Sequence, residues 1–185
     1  MNVLSLCDGA ACAMQALKNI GISPNNYYAS EIDKRAIKVA MANHYNIQQI
    51  GDIRNVNGYN YKNIDLLIGG IPCQSFSFGG KQWGFNDPRG QLLFEFFRIL
   101  KKVCPKYFLL ENVKMKKENQ DVFSKLLGVE PIEINSSLVS AQNRKRLYWT
   151  NIPNVGQPED KGITWGDVRE YGVDSEKYYY TKKAM

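Results

Sequence analysis

Ile64-Asp65-Leu66-Leu67-Ile68-Gly69-Gly70-Ile71-Pro72-Cys73-Gln74 is the stretch on which the fold turns. Its first five residues are apolar apart from Asp65, and two glycines end the run. So short an apolar segment reads as a strand buried on both faces, the kind found in parallel sheets covered by crossover helices. Outward from it the same pattern recurs. Asn2–Leu6 reads as a first strand, followed by a small-residue loop and a helix through Ala16, Leu17 and Ile20. Tyr27–Ser30 reads as a second strand, followed by a helix carrying Ile37, Ala40 and Met41 at three- and four-residue spacing. Gln91–Lys102 reads as a helix with Leu93, Phe96, Phe97 and Leu100 inward, Tyr107–Leu110 as another buried strand and Arg146–Thr150 as a late one. Strands alternating with helices predict a doubly wound α/β fold around a mostly parallel sheet.

In such sheets ligands bind beyond the carboxyl ends of the strands. Residues of chemical interest fall there repeatedly: Asp8 and Gly9 after the first strand, Glu31 after the second, Asp52 after the third, Cys73 after the fourth and Glu111 after the fifth. One such placement means little, whereas five in register predict a site. The first, Asp8-Gly9-Ala10-Ala11-Cys12, has the small residues that let a ligand approach a helix N-terminus, though its lone glycine also suits a plain strand–helix turn. Glu31 is placed to accept ribose hydroxyls and Asp52 an adenine amine, against the commoner use of such carboxylates as caps.

Cys73 sits beside a rigid proline, and polar and glycine-rich residues flank it, which opposes the burial usual for a free cysteine. The following loop, from Gly79 to Gly90, carries Trp83, Phe85, Asp87, Pro88 and Arg89 and is expected to move and touch a substrate. A cysteine–histidine hydrolase is disfavoured, because the lone His44 falls on the inward face of a helix as a core or cap residue. Glu111, directly after an apolar strand, is expected to be partly desolvated, which favours holding a proton. Arg144 and Arg146 alternate just before a strand and would point to one side if that stretch is extended.

The 185 residues suffice for a hydrophobic core, and 44% apolar with 23% charged residues is ordinary for a globular chain. The longest apolar runs fall short of the roughly 18 residues that span a bilayer, and the N-terminus lacks a signal-peptide pattern. The reading is therefore cytoplasmic, without membrane association, with the four cysteines (Cys7, Cys12, Cys73, Cys104) reduced and no metal site in view of their spacing and one histidine. Net charge is +6 and the pI about 9.1, which suits a polyanion such as nucleic acid as well as it suits chance lysine richness. Basic residues cluster at Lys114-Met115-Lys116-Lys117 and Arg144-Lys145-Arg146.

Taken together, these residues resemble the cytosine-5 DNA methyltransferase family. Pro72-Cys73-Gln74, Glu111-Asn112-Val113 and Gln142-x-Arg144-x-Arg146 match three of its signature motifs in order. Glu31, Gly51-Asp52-Ile53 and Asp87-x-Arg89-Gly90-x-Leu92 agree with weaker ones, and the opening Leu-Cys-Asp-Gly is similar to bacteriophage orphan and vertebrate de novo types. The resemblance implies a Rossmann-like methyltransferase fold, S-adenosyl-L-methionine as cofactor and double-stranded DNA with a flipped cytosine as partner. It implies Cys73 as nucleophile on carbon 6, Glu111 on the ring nitrogen and amine, Arg146 on the base carbonyl and Arg144 in support. It also implies a cofactor site made by Asp8, Gly9 and Cys12 at the methionine end, Glu31 on the ribose, Cys7, Ile32, Asp52 and Ile53 on the adenine, and Gly70, Pro72 and Leu92 as wall.

This sequence departs from the family where Cys7 replaces a phenylalanine that packs on adenine and Ala13 replaces a glycine. The resemblance covers about residues 1–150 as a catalytic domain. Residues 151–185 read as an extension or linker toward a target-recognition region and final motif that a protein partner or second copy would supply. Two other readings stay open: a catalytically degenerate relative that binds nucleic acid or protein, and a transfer-RNA cytosine-5 methyltransferase.

Overall fold

The computed structural model describes residues 1–76 and 84–172. In chain order the main elements are β1 (Asn2–Leu6), α1 (Cys12–Asn19), β2 (Asn26–Ser30), α2 (Lys34–Asn43), β3 (Gln48–Gln49), β4 (Leu66–Gly70) and α3 (Leu92–Val103). Then follow β5 (Tyr107–Val113), α4 (Lys117–Leu127), β6 (Ile132–Asn135), β7 (Lys145–Thr150) and α5 (Trp165–Val168). The first compact unit comprises Met1–Ile134 with Lys145–Gln157; the second comprises Asn135–Arg144 with the described residues from Pro158 onward.

Local chemistry sets most boundaries. Asp33 caps α2 by accepting the Arg35 N–H at 2.8 Å. Gly128 ends α4 in the left-handed conformation that glycine adopts without steric cost. On α3, Leu93, Phe96 and Ile99 are fully buried. The expected inward face is thus rotated slightly, with Ile99 taking the buried place while Phe97 and Leu100 are only half-buried.

The seven strands lie in the order β3-β2-β1-β4-β5-β7-β6. The first five run parallel, and β7 pairs antiparallel to β5. Both faces of the sheet are buried: Leu4, Leu6 and Leu67 join one core cluster and Val3, Tyr27, Ala29 and Leu66 the other, as period-two alternation requires. From β1 the chain moves to β2 on one side and later to β4 on the other. That reversal opens a crevice beyond the carboxyl ends of β1 and β4, where doubly wound sheets take their ligands.

Three elements differ from expectation. β4 starts at Leu66, two residues later than its apolar run. β5 continues through Val113, so Glu111 lies within the strand and not after it. β7 begins at Lys145, so the shared-face argument for two alternating arginines does not reach Arg144. Among the described residues, no helix is long and apolar enough to cross a membrane.

Candidate active site

A cavity of about 260 Å³ opens at the crevice, lined by Cys7, Ser30, Glu31, Ile32, Asp52, Ile53, Arg54, Gly70, Pro72, Pro88, Arg89 and Leu92. The side chains come from the ends of β1, β2 and β4, the turn after β3 and the start of α3. Ile32, Ile53, Pro72 and Leu92 give it apolar walls that suit a flat ring. Glu31 and Asp52 give it acceptors for hydroxyl or amine donors.

Those acceptors are already oriented. Glu31 Oε2 accepts the Gly9 N–H at 2.8 Å, and Oε1 accepts those of Ile32 and Asp33 at 2.7 and 2.9 Å. A carboxylate offers about four acceptor positions, and three on Glu31 are taken among the described residues, which leaves one for a ligand. Asp52 accepts the Arg54 N–H at 2.9 Å and the guanidinium through Nε and Nη2. Hydrogen bonds from Arg54, side chain first and then backbone, hold the Asp52 carboxyl below the usual carboxylate range. Asp87 repeats the arrangement with Arg89, at 2.8 Å from its N–H and 2.6 Å from Nη2, and is held down to about 2.

Cys7 turns the chain out of β1 in the left-handed region, φ 55°. Burial, with the Glu31 and Asp52 charges adding to it, pushes its thiol up to about 12, so it lines the cavity as a neutral group. Asp8 does not line the cavity. Its Oδ1 accepts Ser5 Oγ at 2.6 Å and Tyr27 OH at 2.7 Å, while buried Oδ2 has no hydrogen-bond partner among the described residues. Burial raises its carboxyl above the ordinary range. Gly9 contributes through its N–H to Glu31, and Cys12 is exposed at the start of α1, away from the cavity lining.

Beyond Pro72 the chain forms a one-turn helix, Cys73–Ser75, closed by the Phe76 N–H on the Cys73 carbonyl at 3.0 Å. Cys73 is half-buried. Phe76 is 2% exposed and packs edge-on against Phe85 and Phe123, which anchors this turn to the core. Asn112, fully buried, donates to the Ile71 carbonyl at 3.4 Å and ties the same turn to β5. Of the loop expected to move, residues 79–83 lie outside the described residues. In its remainder Gly84, Asp87 and Gly90 are buried and Phe85 half-buried, while Asn86, Pro88 and Arg89 are exposed.

Glu111 and Arg146 meet as an ion pair, Oε1 to Nε at 2.8 Å, with side chains 29% and 17% exposed. Register explains it: Glu111 faces Tyr148 and Val113 faces Arg146, so Arg146 is the diagonal same-face neighbour of Glu111. Gly70 joins this pair to the cavity. A Cβ placed there would stand 3.8 Å from the Cys7 carbonyl and 3.9 Å from Glu111 Oε2. Arg144 belongs to the second unit, where its N–H donates to Asn135 Oδ1 at 2.9 Å and its carbonyl accepts from the Ser136 N–H.

Four lining residues escaped the sequence reading of the cavity: Ser30, Arg54, Pro88 and Arg89. The signal for two of them is the repeated Asp-x-Arg at 52–54 and 87–89, where an aspartate caps its own turn and turns the arginine back.

Residues 1–130 match the family described as C-5 cytosine-specific DNA methylase. The chain is 37% identical over 165 residues to the orphan methyltransferase M.SPRI of Bacillus phage SPR, covering 82% of this chain and 38% of that protein. It is 42% identical over 132 residues to the type II methyltransferase M1.ScrFI of Lactococcus lactis subsp. cremoris, covering 65% and 34%. It thus spans little more than a third of the length of these curated relatives. An E. coli prophage protein, described as a candidate DNA modification methyltransferase, superposes with a TM-score of 0.65 at 26% identity, over 81% of this chain and 46% of that one. The S. pombe Dnmt2 methyltransferase shares the fold, with a TM-score of 0.66 at 22% identity over 85% and 53%.

Proposed function

Since the chain belongs to the C-5 cytosine-specific DNA methylase family, we propose that it methylates carbon 5 of cytosine in DNA through a covalent adduct at Cys73. The observation that carries this reading is the position of Gly70, which lines the cavity and stands against the carboxylate paired with Arg146. A cofactor in the cavity and a base held by Glu111 and Arg146 would then be separated by one glycine.

The cavity residues fit S-adenosyl-L-methionine, with Ile32 and Ile53 beside the adenine, Asp52 on its amine and the free acceptor position of Glu31 on the ribose. Cys7, Gly70, Pro72 and Leu92 complete the wall, with Asp8, Gly9 and Cys12 on the loop at the methionine end. When bound, the cofactor supplies an electrophilic methyl group.

The chain's own residues prepare the base. Cys73 gives up its thiol proton to water, and the sulfur adds to carbon 6 of a cytosine flipped from the duplex, so the electron pair of the 5,6 double bond becomes available at carbon 5. Glu111 contacts the ring nitrogen and the exocyclic amine and so stabilises the adduct. Arg146 stabilises charge developing on the base carbonyl, with Arg144 in support. Loss of the proton from the methylated carbon 5 restores the double bond and expels the Cys73 thiolate.

Duplex DNA carrying 5-fluorocytosine tests the reading, because fluorine cannot leave as a proton and the adduct persists. A band of protein joined to DNA is expected on a denaturing gel with cofactor, and none for Cys73→Ser. Full methylation by Cys73→Ala, or an adduct on transfer RNA alone, would overturn the assignment.

A further inference from the structure

One polar side chain on α3, Arg98, reaches two backbone carbonyls more than forty residues away in sequence. Nη1 donates to the Val56 carbonyl at 2.9 Å and Nη2 to the Ile53 carbonyl at 3.3 Å. Nε is fixed by Glu95 Oε2 at 2.7 Å, one turn earlier on the same helix, and both side chains are about two-thirds buried. The two carbonyls bracket the short turn Ile53–Asn55. Asp52, Ile53 and Arg54 at the head of that turn line the cavity, whereas Arg98 does not.

This turn needs outside support. β3 is two residues long and ends three residues before Asp52, and Gly51 between them has a φ of 78°, so the sheet ladder does not extend to the turn. Ile53 and Val56 are buried at 4% and 3% exposure, which fixes the depth of the turn against the core. Burial is non-directional and leaves rotation free. Two N–H donors of a planar guanidinium are directional and remove that freedom. The same helix supplies Leu92 to the cavity, so the turn is tied to the body that carries another part of its wall.

We infer that Arg98 is a positioning residue for the adenosine-binding wall, acting through the Asp52–Arg54 turn. The inference rests on the cofactor reading given above. Lysine in its place would keep the charge and the Glu95 pair but lose the two-pronged geometry, so it would restore function only in part.

The test uses the full chain and calorimetric titration with S-adenosylhomocysteine, with ligand-free melting temperatures recorded alongside. Arg98→Met is expected to weaken binding about tenfold and Arg98→Lys about threefold, on the scale of one or two lost charge-assisted hydrogen bonds. In a double-mutant cycle, Arg98→Met and Asp52→Asn are expected to combine to much less than the product of their separate losses, because both act through one turn. Arg98→Met and Glu31→Gln should multiply. A merely structural Arg98 would lower melting temperature and give multiplying losses in both cycles, which overturns the inference, as does Arg98→Met binding within twofold of wild type. If Arg98→Met does not fold, Glu95→Gln takes its place, with a loss of about threefold expected and unchanged affinity overturning the proposal. Wild-type protein that does not bind S-adenosylhomocysteine would remove the cofactor reading itself; wild-type binding with an insensitive Arg98 removes this inference alone.

Discussion

Cys7 and Cys73 follow the neighbouring strands β1 and β4, and the proposed function gives them opposite uses. Cys7 is enclosed and sits beside two carboxylates, so its thiol stays protonated well above neutral pH and serves only as wall. Cys73, also half-buried, stands on a turn whose ends are held by Phe76 and Asn112. Cys7 lines the cavity together with Ile53 and Asp52, and the proposed function gives it the adenine-facing place. Cys7→Phe is therefore expected to tighten S-adenosylhomocysteine binding roughly fivefold, since an aromatic face contributes on the order of 1 kcal/mol beyond area burial. Calorimetry on both proteins checks it. Weaker binding by Cys7→Phe would show that this side chain does not face the adenine.

At the scale of elements, the segment from Gly84 to Gly90 is built on the close approach of its own ends. Gly84 has φ 56°, and a Cβ on Gly90 would lie 2.1 Å from the Gly84 carbonyl oxygen, a backbone atom that cannot step aside. Gly90→Ala is expected to cost about 1–3 kcal/mol and to lower the urea midpoint. It should also loosen Pro88, Arg89 and Leu92 at the cavity. An unchanged midpoint would mean the turn opens at no cost. The elements missed in the sequence have physical reasons. Only Phe123, Ser124 and Leu127 of α4 are buried, and its first turn is wholly polar, so its apolar stripe is too short to read. β3, expected before Asp52 but without bounds, has only two polar residues, and β6 alternates apolar and polar over just four residues, too short a run to mark a strand.

For the whole molecule, the structure reduces what a net charge of +6 implied. Lys114 pairs with Glu133, Lys117 with Asp121, and Arg146 with Glu111, so much of the basic clusters is internally neutralised. Exposed Lys116, Arg144 and Lys145 remain for phosphates. About three phosphate contacts give a slope near −2.7 in log affinity against log salt, roughly a fortyfold loss from 50 to 200 mM. The purified chain is expected to follow that slope in fluorescence anisotropy, alike on duplexes of different sequence, because phosphate contacts position a protein without reading bases. Brisk, sequence-specific methylation by the chain alone would overturn this.

Strand–helix alternation, the α/β class and the fall of Asp8, Glu31, Asp52 and Cys73 near strand ends were all legible in the sequence, because each depends on a few consecutive residues. The motif resemblance pointed to the family for the same reason: its residues are contiguous within each motif. Tertiary structure decided which strands are neighbours, and so which chemical groups meet. That β1 lies between β2 and β4 makes the crevice; that β7 runs antiparallel beside β5 sets Arg146 diagonal to Glu111. Arg98 shows the same limit. Its place on α3 follows helical periodicity, but its hold on Ile53 and Val56 depends on how α3 packs over a turn more than forty residues earlier. Local periodicity fixes which way a side chain leaves its own element; only the packing of distant elements fixes what it finds there.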